Sequence, residues 1–203
     1  MTLHSDFSAT DSALGYLYQV RLALLSSLQR LSKDEDFAVF LETLDDVVFE
    51  QNGSALELLQ LKHHCNRTAN LTDASPDLWK SFRVWIEGRA NCSIPADAQF
   101  YLITTSNIGE GSSASHLMIE NRNEAEALKK LRETAATSTN QTNEPAYRLF
   151  RGLSLDDQAT LVRAITILPN APNISGVSDA LRIQARLSVK RNHLDSFLIR
   201  LEG

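Results

Sequence analysis

Three polar residues, Asp46, Gln60 and Lys62, have the types and spacing of a metal-assisted hydrolytic site. Mg²⁺ prefers oxygen ligands, and one or two protein carboxylates are enough when a phosphate also binds the ion. A bound metal lowers the pKa of a coordinated water and neutralises the charge that develops on a phosphate. The lysine ammonium can orient or deprotonate the attacking water, or it can stabilise the transition state, and all three roles stay open.

A β-hairpin must position these three side chains. Two predicted strands are separated by Asn52-Gly53, which is a strong signal for a two-residue turn. Side chains alternate between the two faces of a strand, so Gln60 and Lys62 point to one face and the leucines beside them point to the apolar layer. Asp46 lies near the open end of the hairpin, where the pairing can bring it close to Gln60 and Lys62.

The rest of the chain predicts an α/β fold in the order α-β-β-β-α-β-α, followed by a mostly helical tail. In chain order we predict helix 11–31, strands 37–43, 46–50 and 55–63, a helix from Pro76, strand 100–105, helix 115–136, helix 154–165, strand 166–168 and helix 177–201. The polar stretch 137–144 predicts a linker or a long loop. We therefore divide the chain into a core, residues 1–137, and a helical extension, residues 138–203, that packs on the core.

The motif of an acid, about fourteen residues and then Gln-x-Lys on a buried strand resembles the PD-(D/E)xK restriction-endonuclease-like fold. The Gln variant is typical of its Mrr-like branch. Residues 11–107 are similar to the double-stranded DNA endonuclease domains of bacterial anti-phage effectors, including those of CBASS type. The motifs that carry this similarity are Gly15-Tyr16-Leu-Tyr18-Gln19, Glu42-x-x-Asp45-Asp46-Val47, Gln60-Leu-Lys62-His63 and Leu71-Thr-Asp73 to Trp79-Lys80.

The resemblance implies a mixed β-sheet flanked by helices and a specific set of site residues. Asp46 and Gln60 would bind Mg²⁺ or Mn²⁺, Glu42 would be an auxiliary acid among the metal ligands, and Lys62 would be catalytic. Gln19 on the first helix would be a further residue of the site, approaching it from above the sheet. Gln60 stands where the family more often has a carboxylate, so the site holds less negative charge and should bind the metal less tightly. Asp45 competes with Asp46 for the ligand position, because adjacent strand residues face opposite ways.

Double-stranded DNA is the partner that the resemblance implies, and local basic groups would have to hold it. The formal net charge of -5 argues against a general nucleic-acid coat. We expect His63, Lys80 and Arg83 to contact DNA, although the face that carries Lys80 and Arg83 could equally be a solvated helix surface. A homo-oligomer or further defence-system domains or subunits are the other partners we expect, and a further domain would follow the helical extension.

Composition excludes several other classes of protein. No apolar run approaches the ~18 residues of a membrane span, and the N-terminus has no signal-peptide pattern, so we expect a cytoplasmic protein without a membrane partner. Two cysteines, Cys65 and Cys92, suit a reducing compartment. The run His63-His64-Cys65 does not predict zinc, because consecutive residues cannot readily ligate one tetrahedral ion.

The sequence thus predicts a divalent-metal-dependent endodeoxyribonuclease domain that hydrolyses phosphodiester bonds, as an anti-phage effector. The alternative is a catalytically inactive nuclease-like module that serves oligomerisation or sensing. Metal binding that depends on Asp46 separates the two hypotheses.

Overall fold

The computed structural model describes residues 7–31, 33, 36–62, 70–186 and 189–202, without the side chains of residues 7–12 and 202. Its α helices are α1 (Phe7–Arg30), α2 (Pro76–Ala90), α3 (Glu124–Thr137), α4 (Glu144–Gly152), α5 (Leu155–Ala164), α6 (Ile174–Ala185) and α7 (Leu194–Glu202). Its strands are β1 (Ala38–Leu41), β2 (Val47–Gln51), β3 (Ser54–Lys62), β4 (Asn70–Leu71), β5 (Gln99–Thr104), β6 (Asn107–Ile108) and β7 (Ile165–Leu168). Short 3-10 turns occur at Ala114–Leu117 and Arg191–His193.

A mixed five-stranded sheet forms the centre, in the order β1-β2-β3-β5-β7. Strands β1, β2 and β3 are antiparallel neighbours, whereas β5 is parallel to both β3 and β7. Strands β4 and β6 form a separate parallel pair. The prediction of an α/β protein with a mixed sheet flanked by helices and a helical C-terminal part is therefore confirmed.

The hairpin between β2 and β3 turns at Asn52-Gly53, as predicted. Both residues have positive φ angles, 55° and 76°, which a type I′ turn requires and which Asn and Gly tolerate best. Gln51 pairs with Ser54 across the turn, and Val47 pairs with Leu59 at the other end of the hairpin. Between these ends the register shifts by one residue at Phe49/Glu50, and this shift determines which residues of the two strands meet beyond Val47.

Each face of the sheet carries its own hydrophobic cluster. Val48, Leu58 and Leu102 belong to a cluster with α2, α3, α4 and α5. Val47, Leu59 and Leu61 belong to a second cluster on the other face, with α1, α6 and α7. Strand alternation produces this division, since neighbouring residues of one strand enter different clusters.

Several predicted element boundaries are wrong, and a local cap explains one of them. The predicted helix 115–136 is a 3-10 turn followed by α3, which begins after Asn123 because its side chain accepts a hydrogen bond from the backbone N–H of Glu126. The predicted helix 177–201 is divided into α6 and α7. The predicted linker or long loop 137–144 is a loop between α3 and α4. It packs on the interior, since Asn143 is buried and donates to the carbonyl of Ala74 and to the Tyr147 hydroxyl.

The predicted division between residues 137 and 138 stays a prediction. Strand β7 lies in the central sheet beside β5, and Tyr147 and Phe150 of α4 share a buried cluster with Trp79 of α2. The described residues on both sides of position 137 therefore contribute to the same core. In the part of the chain that the structure describes, no helix combines the length and apolar character needed to cross a bilayer.

Candidate metal and hydrolytic site

A tight turn of residues 42–46 carries three carboxylates to the edge of the sheet where β3 ends. The backbone N–H of Glu42 donates to the carbonyl of Asp46 at 3.2 Å, which closes the turn between β1 and β2. Glu42 has a φ of 53°, a left-handed conformation that is uncommon for a residue other than glycine. The turn consequently places Glu42, Asp45 and Asp46 beside the last residues of β3.

Asp46 lies against Gln60, as the hairpin register predicts. Val47 pairs with Leu59, so the preceding residue of β2 faces the following residue of β3. The Gln60 amide Nε2 donates to Asp46 Oδ2 at 2.5 Å, and the backbone N–H of Leu61 donates to the same oxygen at 2.6 Å. These two donors hold the Asp46 side chain at the end of the strand ladder.

The donors leave two oxygen atoms available. A carboxylate only accepts hydrogen bonds, so the Gln60 amide presents its NH₂ group to Asp46 and keeps its carbonyl oxygen Oε1 for another partner. Within the described residues, neither Gln60 Oε1 nor Asp46 Oδ1 takes part in a hydrogen bond. One charged and one neutral hard oxygen fit Mg²⁺ or Mn²⁺, which prefer such ligands and retain several waters.

Lys62, the last residue of β3, lines the same open cleft as Asp46 and Gln60. The cleft has a volume of about 320 Å³ and is lined by Glu42, Thr43, Leu44, Asp45, Asp46, Gln60, Lys62, Lys80 and Val84. The half-buried Lys62 side chain forms no hydrogen bond or ion pair among the described residues, so its ammonium is available to a ligand in the cleft.

Asp45 has a different environment from its neighbour Asp46. It is 8% exposed, and its Oδ2 accepts a hydrogen bond of 2.6 Å from the indole Nε1 of Trp85. Its Oδ1 accepts from the backbone N–H of Asp46 at 3.0 Å. Burial raises the pKa of Asp45 to about 6, and the nearby Asp46 charge adds to this, while the Trp85 hydrogen bond opposes it. Both Asp45 oxygens are thus engaged, whereas Asp46 keeps one free.

Some of the remaining predicted site residues line the cleft and others do not. Glu42 is exposed and lines the cleft, as does Lys80 of α2. Arg83 is exposed on the same helix, forms an ion pair of 2.8 Å with Glu87 and does not line the cleft. Gln19 lies on α1, which packs on the other face of the sheet, and it does not line the cleft either. His63 and the His63-His64-Cys65 run lie outside the described residues.

The described residues of the site do not form a dense cluster of charged metal ligands. Among residues with described placement, no group of three or more His, Cys, Asp or Glu side chains is arranged to hold a metal ion. What the described residues form is a glutamine in contact with one carboxylate, at the positions of the Gln-x-Lys motif. The contact that the sequence did not predict is between Asp45 and Trp85, because helical periodicity identifies Trp85 as buried but says nothing about the partner of its indole N–H.

Comparisons with known proteins add no family assignment. No protein-family model matches this sequence, and a search of curated proteins gives no match.

Proposed function

We propose that this chain is a divalent-metal-dependent endonuclease domain of the restriction-endonuclease-like fold that hydrolyses phosphodiester bonds in double-stranded DNA. The observation that carries the proposal is the contact between Asp46 and Gln60, with Lys62 in the same cleft. The mixed sheet flanked by helices is the coarse architecture that the motif resemblance implies, and it supports the assignment.

Each residue of the site would have a separate chemical role. Asp46 Oδ1 and Gln60 Oε1 would hold Mg²⁺ or Mn²⁺, and Glu42 would add an auxiliary acid from the rim. When bound, the metal would supply an activated water and neutralise charge on the phosphate. The Lys62 ammonium, which forms no hydrogen bond or ion pair among the described residues, would orient or deprotonate that water or stabilise the transition state.

The charges of the cleft make DNA binding there depend on the metal. Glu42, Asp45 and Asp46 place three carboxylates in the lining, against the ammonium groups of Lys62 and Lys80. Without a metal ion, the net negative charge of these groups repels a phosphate. One divalent cation makes the net charge positive, so we expect divalent metal to strengthen the binding of DNA to the cleft.

The biological setting rests on the motif resemblance. We place the domain in the cytoplasm as an anti-phage effector that acts with partner copies or further defence-system domains. Duplex DNA, rather than RNA, is the substrate of the proteins that the motifs resemble.

Cleavage of a supercoiled plasmid tests the proposal. Wild-type protein should nick or linearise the plasmid with Mg²⁺ or Mn²⁺ and should be inert with a chelator. Lys62→Ala should lower the rate by about 10²- to 10⁴-fold, the range for loss of one acid–base group. Lys129→Ala is the matched control, because Lys129 is an exposed lysine on α3 that does not line the cleft. Equal activity of the two variants would contradict the proposed role of Lys62.

Metal binding decides between the enzyme and the inactive interaction module. A Mn²⁺ titration followed by electron paramagnetic resonance should show binding in the wild type and its loss in Asp46→Ala. Absence of Mn²⁺ binding to folded wild-type protein would favour the inactive module.

A further inference from the structure

We propose that Asp45 is a positioning residue, which with the Trp85 indole fixes the 42–46 turn and so aims the Asp46 carboxylate at the metal. The inference deepens the proposed function and rests on it. It assigns Asp45 a role distinct from metal ligation. It also gives a function to Trp85, which helical periodicity identifies only as a buried core residue.

The turn needs an anchor because part of it is strained. Glu42 holds a left-handed backbone conformation, which persists in a residue other than glycine only where the surroundings over-determine it. The hydrogen bond between Glu42 N–H and the Asp46 carbonyl closes the turn at its base. Asp45 is the buried polar side chain of the turn, since Glu42 and Thr43 are exposed, and the half-buried Leu44 beside it packs against the hydrophobic cluster.

Trp85 is suited to be the fixed end of this anchor. Its ring is fully buried and stacks on Phe100 of β5, with ring centroids 4.8 Å apart and planes 14° from parallel. The indole N–H therefore has a direction set by the sheet and by α2 together. Asp45 connects this fixed N–H to the turn, because its Oδ2 accepts from Trp85 and its Oδ1 accepts from the Asp46 backbone N–H.

The two donors explain why a carboxylate occupies position 45. An asparagine has one acceptor oxygen, and its NH₂ group would meet one of the two N–H donors. Loss of either bond removes the link between the Asp46 backbone N–H and Trp85. The position of Asp46 then depends on the Glu42 N–H bond to its carbonyl and on the Gln60 and Leu61 donors to its side chain. Groups that orient a ligand in this way typically change metal affinity by 10- to 100-fold when they are removed.

A comparison of two tryptophans tests the inference. Trp79 lies on the same helix, is equally buried, and donates its indole N–H to the Asp73 carbonyl at 2.6 Å, away from the cleft. Trp85→Phe should weaken Mn²⁺ binding at least 10-fold, and Trp79→Phe should leave it within about twofold of wild type. Asp45→Asn, which nearly conserves the side-chain volume, should reproduce the effect of Trp85→Phe.

A readout without metal separates this inference from the proposed function. The Leu61 amide donates to Asp46 Oδ2, so its hydrogen exchange, followed by NMR in the presence of a chelator, reports whether Asp46 is held. We expect exchange at Leu61 to accelerate at least 10-fold in Trp85→Phe and Asp45→Asn but not in Trp79→Phe. Thermal unfolding identifies a temperature at which all variants remain folded.

The outcomes are distinct. Unchanged Leu61 exchange in Trp85→Phe and Asp45→Asn, or equal acceleration in Trp79→Phe, would overturn the positioning role. A second outcome combines accelerated exchange in Trp85→Phe and Asp45→Asn with no binding of Mn²⁺ to the wild-type protein. This outcome would support the positioning of Asp46 and would contradict the metal-dependent function.

Discussion

The amide of Gln60 donates to the Asp46 carboxylate over 2.5 Å, across fourteen positions of sequence. The bond exists because the Asn52-Gly53 turn pairs β2 with β3 and a register shift of one residue at Phe49/Glu50 then places residue 46 opposite residue 60. It also determines which atoms remain for a cation, since the amide hydrogens face Asp46 and the amide oxygen does not. The consequences can be tested by changing one atom of the pair.

Gln60→Glu replaces the donating NH₂ group with a second acceptor. Two carboxylates in contact repel each other, so we expect the metal-free variant to lose about 1–2 kcal/mol of stability. With Mn²⁺ the extra charge should tighten binding by about 10-fold, and the bound ion should restore the stability. Thermal unfolding with a chelator and then with Mn²⁺ measures both effects. An equal melting-temperature difference from wild type in the two buffers would contradict a metal between these residues.

Asp45 should give the protein a specific dependence of stability on pH. Its folded-state pKa is raised from 3.8 to about 6, so the folded state binds more protons than the unfolded state between these values. Its contribution to stability is therefore fully present below pH 3.8 and is lost as the pH rises through 6. Because the side chain is 8% exposed, little solvent screening reduces the effect, which amounts to about 3 kcal/mol.

Asp45→Asn removes this titration and isolates it from the other carboxylates. The variant loses one hydrogen bond at every pH, which costs about 1–3 kcal/mol. When the pH is raised from 4 to 7, however, the unfolding free energy of the variant should rise by about 3 kcal/mol relative to that of wild type. Urea unfolding of both proteins in a chelator measures this difference. A difference in unfolding free energy that does not change with pH would show that Asp45 is ionised normally in the folded state.

Lys80 should contribute to DNA affinity, and Arg83 provides its control. Lys80 lines the cleft, whereas Arg83, three residues along the same helix, is paired with Glu87 outside it. We expect Lys80→Ala to raise KM with little change in kcat and to reduce the salt dependence of DNA binding by about one phosphate contact. Arg83→Ala should change neither. Similar losses in both variants would indicate that the whole exposed face of α2, rather than the cleft, contacts DNA.

Gly53 should be required for its backbone conformation alone. Its φ is 76°, and a Cβ added there would meet no atom within 4 Å. Gly53→Ala should therefore cost about 1–2 kcal/mol through strain. Gly15→Ala, also in open space but inside α1, should stabilise the protein by up to about 1 kcal/mol because alanine favours helix. Urea unfolding compares the two, and a stabilising Gly53→Ala would contradict the type I′ turn.

The parts of the fold that local patterns determine were predictable. Strand alternation predicts that Gln60 and Lys62 share a face, and the Asn-Gly turn predicts the hairpin that brings Asp46 near them. The exact pairing of Asp46 with Gln60 depends in addition on the register shift at Phe49/Glu50, which the sequence did not predict. The hydrogen bond between the Asp45 side chain and another element was not predictable. Its partner Trp85 lies on another element, and periodicity reports burial without reporting hydrogen-bond partners.

Helix α4 was missed for a similar reason. The residues before it are rich in Thr, Asn and Gln, a composition typical of linkers. Asn143 and Tyr147 nonetheless hydrogen-bond each other in the interior, and Asn143 also bonds to the Ala74 carbonyl. Such long-range satisfaction of polar groups has no local signature in the sequence.

The pairing of β7 with β5 has a consequence for any shortened version of the protein. A polypeptide ending at residue 137 would leave one side of β5, a strand with the apolar run Phe-Tyr-Leu-Ile, without a hydrogen-bonding neighbour. An uncovered apolar strand of this kind recruits other chains and precipitates. A truncation designed from the motifs alone would therefore discard the strand that covers this edge of β5, even though it retains the described lining of the cleft.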